Sequence, residues 1–245
     1  MSADESPEQK PKRNFVVAID GPAGAGKSTI ARHLARHFGL LNLETGAMYR
    51  AFALKALRLH VPLDDAAALE QLAAETEIQL EPGEDENCVL LDGEDVTGQI
   101  RNQTVTEAAS RVSIYPPIRA AMVKRQKEMA AKGGVVMEGR DIGTVVFPNA
   151  EVKIFLDAAP EVRGMRRYDQ IGQKGKPAPP PEEVIRDLHA RDERDRNRAD
   201  SPLKPAPDAF LLDSTNLTLE EAVKAAEGAV DAWLAKSAQP QSQTK

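Results

Sequence analysis

A glycine-rich turn near the start of the chain constrains its fold more than any other part of the sequence. Residues Gly21-Pro-Ala-Gly-Ala-Gly26-Lys27-Ser28 fit the pattern G-x-x-x-x-G-K-[ST] without a mismatch. The turn follows Phe15–Ile19, an apolar run typical of a buried strand, and opens Lys27–Phe38, a helical pattern that ends at Gly39. Strand, turn and helix in this order predict an α/β fold.

The chemistry of this turn is that of a phosphate-binding loop. Glycines let backbone N–H groups turn towards phosphate oxygens, and the N-terminus of the following helix adds a favourable dipole. Lys27 is predicted to reach the β- and γ-phosphates, and the Ser28 hydroxyl to hold Mg²⁺. The residues predicted to bind the nucleoside triphosphate are Gly21, Pro22, Ala23, Gly24, Ala25, Gly26, Lys27, Ser28 and Thr29.

Four further apolar runs are predicted strands: Leu40–Leu43, Val135–Glu138, Val152–Asp157 and Ala209–Asp213. Helical patterns lie between most of them. Strands joined by crossover helices pair in parallel, and helices cover both faces of such a sheet. We therefore predict a five-stranded parallel sheet flanked by helices.

Two stretches depart from this alternation. Residues 61–110 combine a helical pattern with acidic turns around Cys88–Leu91, which indicates a small α+β insertion. Residues 171–181 are rich in Gly and Pro between two Arg-rich helical stretches, as in a flexible helical lid. We expect disordered tails at 1–13 and 237–245, core segments at 14–60, 111–162 and 191–236, the insertion at 61–110 and the lid at 163–190.

Composition excludes several classes of protein. The net charge of −6 has the wrong sign for a general nucleic-acid binder, and the aromatic content of 4% offers few stacking platforms for bases. The single cysteine, Cys88, rules out a disulfide framework and fits a reducing compartment. No apolar run approaches the about 20 residues that span a bilayer, and residues 1–14 lack the apolar core of a secretory signal. We expect a soluble, cytoplasmic protein that binds neither membranes nor polymeric nucleic acid.

Several unrelated functions share such a loop, so the remaining motifs must discriminate among them. A GTPase switch needs a guanine-reading N-K-x-D motif, and no Asn in this chain is followed by Lys. Asp95-Val-Thr-Gly98 matches D-x-x-G but lies in the acidic insertion rather than after a core strand. A remodelling or transporter ATPase usually has a longer chain with further signatures. These readings are therefore disfavoured.

A small-molecule kinase needs a second anion site and a cationic lid, and the chain has residues for both. Arg50, Arg119 and Arg140 stand near predicted strand ends or helix starts, and residues 163–198 hold 10 of the 32 basic residues. Arg191, Asp195 and Arg198 share one helical face, where they suit a phosphorylated sugar. Asp192 and Arg196 are predicted to pair on another side. The alternative interpretation is a solvated helix with surface ion pairs.

Taken together, four motifs resemble those of the bacterial cytidylate (CMP/dCMP) kinase family. They begin at Asp20-Gly-Pro-Ala, Glu44-Thr-Gly-Ala-Met-Tyr-Arg50, Glu138-Gly-Arg-Asp-Ile-Gly and Arg191-Asp-Glu-Arg-Asp-Arg-Asn-Arg198, and Leu212-Asp-Ser-Thr215 follows them. The resemblance extends over about residues 15–235. It implies a phosphate-loop kinase that transfers the γ-phosphoryl group of ATP to CMP or dCMP with Mg²⁺, acts as a monomer, and uses residues 61–110 to bind the nucleoside monophosphate.

The resemblance also assigns residues to the CMP site. It implies that Arg50, Arg140 and Arg198 hold the phosphate near Thr45, and that Arg191 and Asp195 contact the sugar. Lys27, Arg140, Arg191 and Arg198 are the implied catalytic residues. The full set implied for CMP is Thr45, Tyr49, Arg50, Ser110, Arg119, Arg140, Asp141, Arg191, Asp195 and Arg198.

Base recognition in this scheme has a direct chemical reason. Asp141 accepts from the cytosine N4 amino group, while Arg119 and Ser110 donate to N3 and O2; uracil would turn an acceptor towards the same carboxylate. The alternative roles for Asp141 are a helix N-cap and a partner for Arg140. Glu44 and Glu138 stand where Asp is frequent in the family, and Ser28 where some members have Gly, but none of these departures removes a functional group.

The expected mechanism is positioning with charge neutralisation, because the acceptor phosphate oxygen is already ionised. Arg163, Arg166 and Arg167 are candidate lid contacts to the transferring phosphoryl group. A kinase for UMP or a shikimate-like acceptor, or a non-catalytic nucleotide-binding switch, remains as an alternative. His33 and His37 lie one turn apart on the first helix, but with no third ligand in view we expect no metal site there.

Overall fold

The computed structural model describes residues 14–81, 83, 87–131, 133–172 and 179–238. The tail at 1–13, most of the tail at 237–245 and the greater part of the Gly/Pro-rich loop lie outside these residues. No helix in the described ranges is long and apolar enough to cross a membrane.

A five-stranded parallel sheet organises the molecule and confirms the predicted fold class. Its strands are β1 (Val16–Asp20), β2 (Leu41–Glu44), β6 (Val135–Gly139), β7 (Val152–Asp157) and β8 (Phe210–Asp213), in the order β2-β6-β1-β7-β8. All five predicted strands are present, each within one residue at either end. With β1 central, the loop that follows it opens at the middle of the sheet's carboxyl edge, where parallel sheets bind ligands.

Helices cover both faces of this sheet. In the described part of the chain they are α1 (Lys27–Phe38), α2 (Thr45–Arg58), α3 (Ala66–Ala74), α4 (Gln103–Val112), α5 (Pro116–Ala130), α6 (Pro160–Gly172), α7 (Pro181–Asn197) and α8 (Leu219–Ser237). Val17 and Ile19 point to the face covered by α1 and α8, while Ala18 between them joins a cluster on the opposite face. The alternation follows from the two-residue period of a strand, and we call the cluster under α1 and α8 the sheet core.

The stretch at 61–110 contains α3, most of α4 and a separate antiparallel sheet of β3 (Ile78–Glu81), β4 (Cys88–Leu91) and β5 (Glu94–Asp95). Its apolar side chains form a second cluster, the insertion core, which includes Phe52, Leu69, Val89 and Met122. This cluster also includes residues of α2 and α5. These two helices lie outside 61–110 in sequence, but they pack against the insertion. Asp95 of the D-x-x-G match lies at the edge of this small sheet.

Helices α6 and α7 pack against each other in the region expected to form a lid. Gly164 permits the close approach, because a Cβ at this position would lie 2.2 Å from Cγ1 of Ile185. The two helices reach beyond the expected lid limits of 163 and 190, since α6 begins at Pro160 and α7 continues to Asn197. Likewise α8 extends through Ser237, the first residue of the expected tail.

Candidate active site

The phosphate loop lies between β1 and α1, as its motif predicts. Gly21 is required because a Cβ there would stand 1.9 Å from the carbonyl oxygen of Leu156 on β7. Gly26 has φ of 100°, in the left-handed region that favours glycine, immediately before the first residue of α1. The loop therefore follows the neighbouring strand closely and directs the N-terminus of α1 towards the carboxyl edge of the sheet.

Lys27 is buried at the start of α1, and its Nζ donates to the carbonyl of Pro22 across the loop at 2.7 Å. Burial, with a further contribution from the charge of Arg140, lowers the pKa of Lys27 to about 7, although Glu138 opposes the shift. The ammonium is thus held inside the loop among other cations. An anionic ligand beside it would restore the charged form.

Arg163 supports the phosphate loop from outside, because protein groups engage its guanidinium, and its contact with phosphate stays a prediction. Its side chain is 2% exposed and donates to the carbonyls of Ala158 and Ala23 at 2.8 and 2.9 Å. It also forms a buried ion pair with Asp192 at 2.5 Å, and Asp192 accepts from the backbone N–H of Ala23 at 3.2 Å. The predicted Asp192–Arg196 pair is wrong, because Asp192 turns inward to Arg163.

Replacing Arg163 with Ala is expected to destabilise the protein by about 3–5 kcal/mol, because the substitution leaves Asp192 buried without its partner. Chemical denaturation measures the effect. Arg186→Ala, at an exposed position on α7, is the matched control and should change stability by less than about 0.5 kcal/mol. A loss for Arg163→Ala as small as that of the control would remove the supporting role.

Two carboxylates lie side by side next to the loop. Glu44 and Glu138 are paired in register at the carboxyl ends of β2 and β6. Burial raises the pKa of Glu138, and the neighbouring Glu44 raises it further, while a hydrogen bond with the Ser28 side chain opposes the shift. Burial also favours protonation of Glu44, but Arg50 and Arg101 outweigh it and lower the pKa of Glu44. The strand register therefore places two different carboxylates beside Ser28. Glu44 is paired with arginines, whereas Glu138 has a raised pKa and is more readily protonated.

Asp20, at the end of β1, fixes the backbone that follows β6. Its carboxylate accepts from the N–H groups of Ile142 and Gly143, each at 2.7 Å, at the start of a π-helical turn (Ile142–Val146). Burial raises the pKa of Asp20 to about 6 against these hydrogen bonds. Thr45, at the start of α2, also makes a structural hydrogen bond, because its hydroxyl donates to the carbonyl of Glu138 at 2.8 Å.

A cluster of arginines lies around Asp195, on the predicted face of α7. Arg140 Nε donates to Asp195 at 2.7 Å, and Arg198 Nη1 lies 4.0 Å from the other carboxylate oxygen. Burial, with the charge of Arg140, lowers the pKa of Arg191 to about 10, although Asp195 opposes the shift. Asp195 thus balances Arg140 together with Arg191 and Arg198, the two arginines predicted to share its face.

A second cluster forms around Asp141. Its carboxylate forms a hydrogen-bonded ion pair with Arg119 and lies 3.9 Å from Nη2 of Arg198. Burial raises the pKa of Tyr49 to about 12, and Arg119 and Asp141 are the next largest influences on its hydroxyl. Ser110 is buried, and its Oγ has no hydrogen-bond partner within the described ranges. The predicted base-reading residues Arg119 and Asp141 are therefore in direct contact, with the hydroxyl of Tyr49 close by.

The alternative roles considered for Asp141 are both wrong. Asp141 stands at the N-cap of the π-helical turn, but its side chain makes no capping hydrogen bond there. Arg140 pairs with Asp195 rather than with its neighbour in sequence. The side chain of Asp141 is thus directed to Arg119 and Arg198.

The two other lid arginines differ in their surroundings. Arg166 donates to the hydroxyl and carbonyl of Ser214 at 3.0 and 2.8 Å, beside the phosphate loop. Arg167 donates to Gln170 at 2.7 Å, and burial together with the charges of Arg50 and Arg101 lowers its pKa. Of the three arginines predicted for the lid, Arg167 is therefore the one associated electrostatically with the cationic cleft.

The site combines a phosphate loop with two clusters of arginines. Comparison of the sequence with protein-family models identifies the family. The model described as cytidylate kinase matches residues 17–231. The chain belongs to the cytidylate kinase family. This result confirms the resemblance found in the sequence motifs.

Relatives within the cytidylate kinase family match over nearly their whole length. A protein named cytidylate kinase from Pasteurella multocida (strain Pm70) is 49% identical over 209 residues, 85% of this chain and 92% of that protein. One of the same name from Solibacter usitatus (strain Ellin6076) is 52% identical over 215 residues, with 87% and 91% covered. Among solved structures, a shikimate kinase from Acinetobacter baumannii aligns over 93% of this chain and 97% of its own, with 15% identity and a TM-score of 0.42.

Sequence reasoning missed several residues of this cytidylate kinase site. Arg101 lies 3.5 Å from Glu44 and contributes to lowering its pKa, but no motif surrounds it. Asp192 and Arg163 were assigned to other roles, because helical periodicity shows which residues share a face but not which helix that face contacts. An isolated arginine just before an Asn helix cap, as in Arg101-Asn102, was the available signal.

Proposed function

We propose that this chain transfers the γ-phosphoryl group of ATP to CMP or dCMP, giving ADP and CDP or dCDP. The observation that carries the proposal is the contact of Asp141 with Arg119 and Arg198, in a site whose phosphate loop holds Lys27. In this proposal Asp141 reads the cytosine base, and Arg198 beside it binds the CMP phosphate. Membership of the cytidylate kinase family supports the same assignment.

On the donor side, ATP is proposed to bind the loop from Gly21 to Thr29. Backbone N–H groups and the N-terminus of α1 face the phosphate oxygens, and Lys27 exchanges its bond to the Pro22 carbonyl for the transferring phosphate. The pKa of Lys27, about 7 in its buried position, rises again when an anion binds beside it. Lys27 is thus cationic when its charge is needed.

The residues beside the loop fit Mg²⁺. Ser28 and Glu138 offer the hard oxygen donors that this ion prefers, and Glu138 Oε1 is buried without a hydrogen-bond partner in the described ranges. We propose that Ser28 and Glu138 hold Mg²⁺ delivered with ATP, directly or through its bound water. The ion supplies charge neutralisation at the β- and γ-phosphate oxygens.

On the acceptor side, Arg50, Arg140 and Arg198 are proposed to bind the CMP phosphate, and Arg191 and Asp195 to contact the sugar. Carboxylates hold these arginines in position before substrate arrives: Glu44 for Arg50, and Asp195 for Arg140. Such preorganisation lowers the cost of aligning the acceptor oxygen with the γ-phosphorus. The acceptor oxygen is ionised at neutral pH, so no general base is assigned.

The base is proposed to bind between Asp141, Arg119 and Ser110. The unpartnered Ser110 Oγ is free to donate to the cytosine ring, while Asp141 accepts from N4. Lid arginine Arg167 is the proposed contact to the transferring phosphoryl group, with Arg166 beside the loop. Action as a monomer in the cytoplasm completes the proposal and is supported by the family resemblance and by the single cysteine.

A coupled assay of ADP production with CMP, dCMP, UMP and AMP tests the function. CMP-dependent turnover well above that with UMP or AMP is the expected result. Preference for UMP would place this chain with a different acceptor. Nucleotide binding without any monophosphate-dependent ADP would instead favour a non-catalytic switch.

Replacing Arg198 with Ala is expected to raise KM for CMP about 10–100-fold, the effect of losing a charged hydrogen bond, and to leave ATP binding within about twofold. Arg196→Ala is the matched control: Arg196 lies two residues away and its side chain is 50% exposed. Steady-state kinetics and equilibrium ATP binding provide the two readouts. An equal loss of ATP and CMP affinity would indicate that Arg198 contacts ATP rather than CMP alone.

A further inference from the structure

The outer surface of α1 carries a cluster that the proposed reaction does not use. His33 Nε2 lies 2.8 Å, and His37 Nδ1 3.2 Å, from the same carboxylate oxygen of Glu227 on α8. The three ligand atoms lie within 4.8 Å of one another. The third ligand that the sequence did not reveal is therefore supplied by a residue 194 positions away from His33.

Packing between α1 and α8 holds this cluster in place. Leu34 and Phe38 of α1 share the sheet core with Val223 and Val230 of α8. The two imidazole rings are stacked with centroids 6.2 Å apart, as expected for residues one helical turn apart. Because the helices are fixed by buried apolar contacts, the ligand atoms converge without a change of backbone.

The donor set determines which ions fit. Two imidazole nitrogens and one carboxylate oxygen suit Zn²⁺ and neighbouring divalent transition metals, whereas Mg²⁺ and Ca²⁺ prefer oxygen alone. A His-x₃-His pair on a helix with a carboxylate from elsewhere is a recurrent zinc arrangement. The side chains of His33 and His37 are 46% and 51% exposed, so an ion can enter from solvent and retain water at its remaining position.

We propose that His33, His37 and Glu227 form a binding site for a divalent transition-metal ion, with Zn²⁺ as the best fit, that links α1 to α8. The site is separate from the phosphate loop, since six and ten residues of helix, about 9 and 15 Å of rise, separate the two histidines from Lys27. The bound ion cross-links α8 to α1, the helix that begins at the phosphate loop. The competing interpretation is a carboxylate shared by two imidazoles without any metal.

Titration of the untagged full-length chain with ZnCl₂ at neutral pH, followed by calorimetry and by thermal unfolding, tests the site. We expect one saturable Zn²⁺ per chain, and a Tm higher by about 5–10 °C when free Zn²⁺ is about 100 times Kd. Mg²⁺ in excess should not displace it. Cobalt(II) provides a spectroscopic readout, through visible absorption typical of nitrogen and oxygen ligands at low coordination number.

Matched variants separate this site from adventitious binding. Glu227→Gln and His33→Gln should each weaken Zn²⁺ binding at least about tenfold and abolish the Tm increase. His189→Gln, an exposed histidine on α7, and Glu220→Gln, an exposed carboxylate on α8, should bind as the wild type does. Absence of saturable binding would overturn the proposal, and so would unchanged affinity in Glu227→Gln or an equal loss in His189→Gln. None of these readouts depends on kinase activity, so the result stands apart from the proposed function.

Discussion

Replacing Lys27 with Met is expected to lower the rate of CMP-dependent ADP formation by about a thousandfold, the cost of removing a charge that stabilises the transition state. Lys27 is the loop cation nearest the proposed transferring phosphate, and methionine retains its length and apolar stem. Lys27 Nζ donates to the Pro22 carbonyl, a hydrogen bond that methionine cannot make. A coupled assay with saturating ATP and CMP measures the effect.

The same substitution should leave the fold intact and change its response to pH. Because burial lowers the pKa of Lys27 from 10.5 to about 7, the unfolded chain binds a proton that the folded protein has released over that range. The free energy of unfolding of the wild type therefore rises between about pH 7 and pH 10, and Lys27→Met should lack this rise. Denaturant unfolding at several pH values measures this difference.

Lys224→Met is the matched control for both experiments, because Lys224 lies on α8 and its side chain is 71% exposed. It should retain wild-type turnover and the wild-type dependence of stability on pH. If Lys27→Met retained turnover within tenfold of the control, the role assigned to Lys27 would be refuted.

Replacing Asp141 with Asn is expected to reduce the preference for CMP over UMP about 100-fold or more. In the proposed site the carboxylate accepts from the cytosine amino group, whereas an amide also donates and can therefore satisfy the O4 acceptor of uracil. The measurement is the ratio of kcat/KM for CMP to that for UMP. Both substrates are assayed on one preparation, so the ratio is independent of the folded fraction.

This substitution has a structural cost as well. Asp141 partners Arg119, whose side chain is 3% exposed, and it lies near Arg198, so Asn leaves buried cations short of counter-charge. We expect a loss of about 3 kcal/mol, visible in denaturant unfolding. Asp200→Asn is the matched control, since Asp200 lies 3.6 Å from Arg119 but is 47% exposed. An unchanged ratio of kcat/KM for CMP to that for UMP in Asp141→Asn would show that another residue reads the base.

Much of the sheet could be predicted from the sequence because local signals coincide there. The β-branched run before the phosphate loop, the helical spacing after it and the glycine at the end of α1 all indicate one βαβ unit. Gly39 does adopt the left-handed conformation, with φ of 69°, at the end of α1. Parallel pairing then follows from the crossover helices.

The partners of charged side chains could not be predicted in this way. Asp192 lies near Arg196 in sequence, but its buried partner Arg163 is 29 positions away on another helix. Glu227 lies 194 positions from His33, and only the packing of α1 against α8 brings them together. Helical periodicity determines which residues share a face, whereas the neighbour of that face depends on the tertiary fold.

The two apolar cores described above have an evolutionary consequence. Phe52, Leu69 and Met122 belong to the insertion core, whereas Ile19, Leu34 and Leu156 belong to the sheet core, so the two sets of buried side chains are distinct. Mutations that reshape the acceptor side can therefore accumulate in one core while the other retains its packing. The architecture is modular: substrate choice can diverge without disturbing the part that handles ATP.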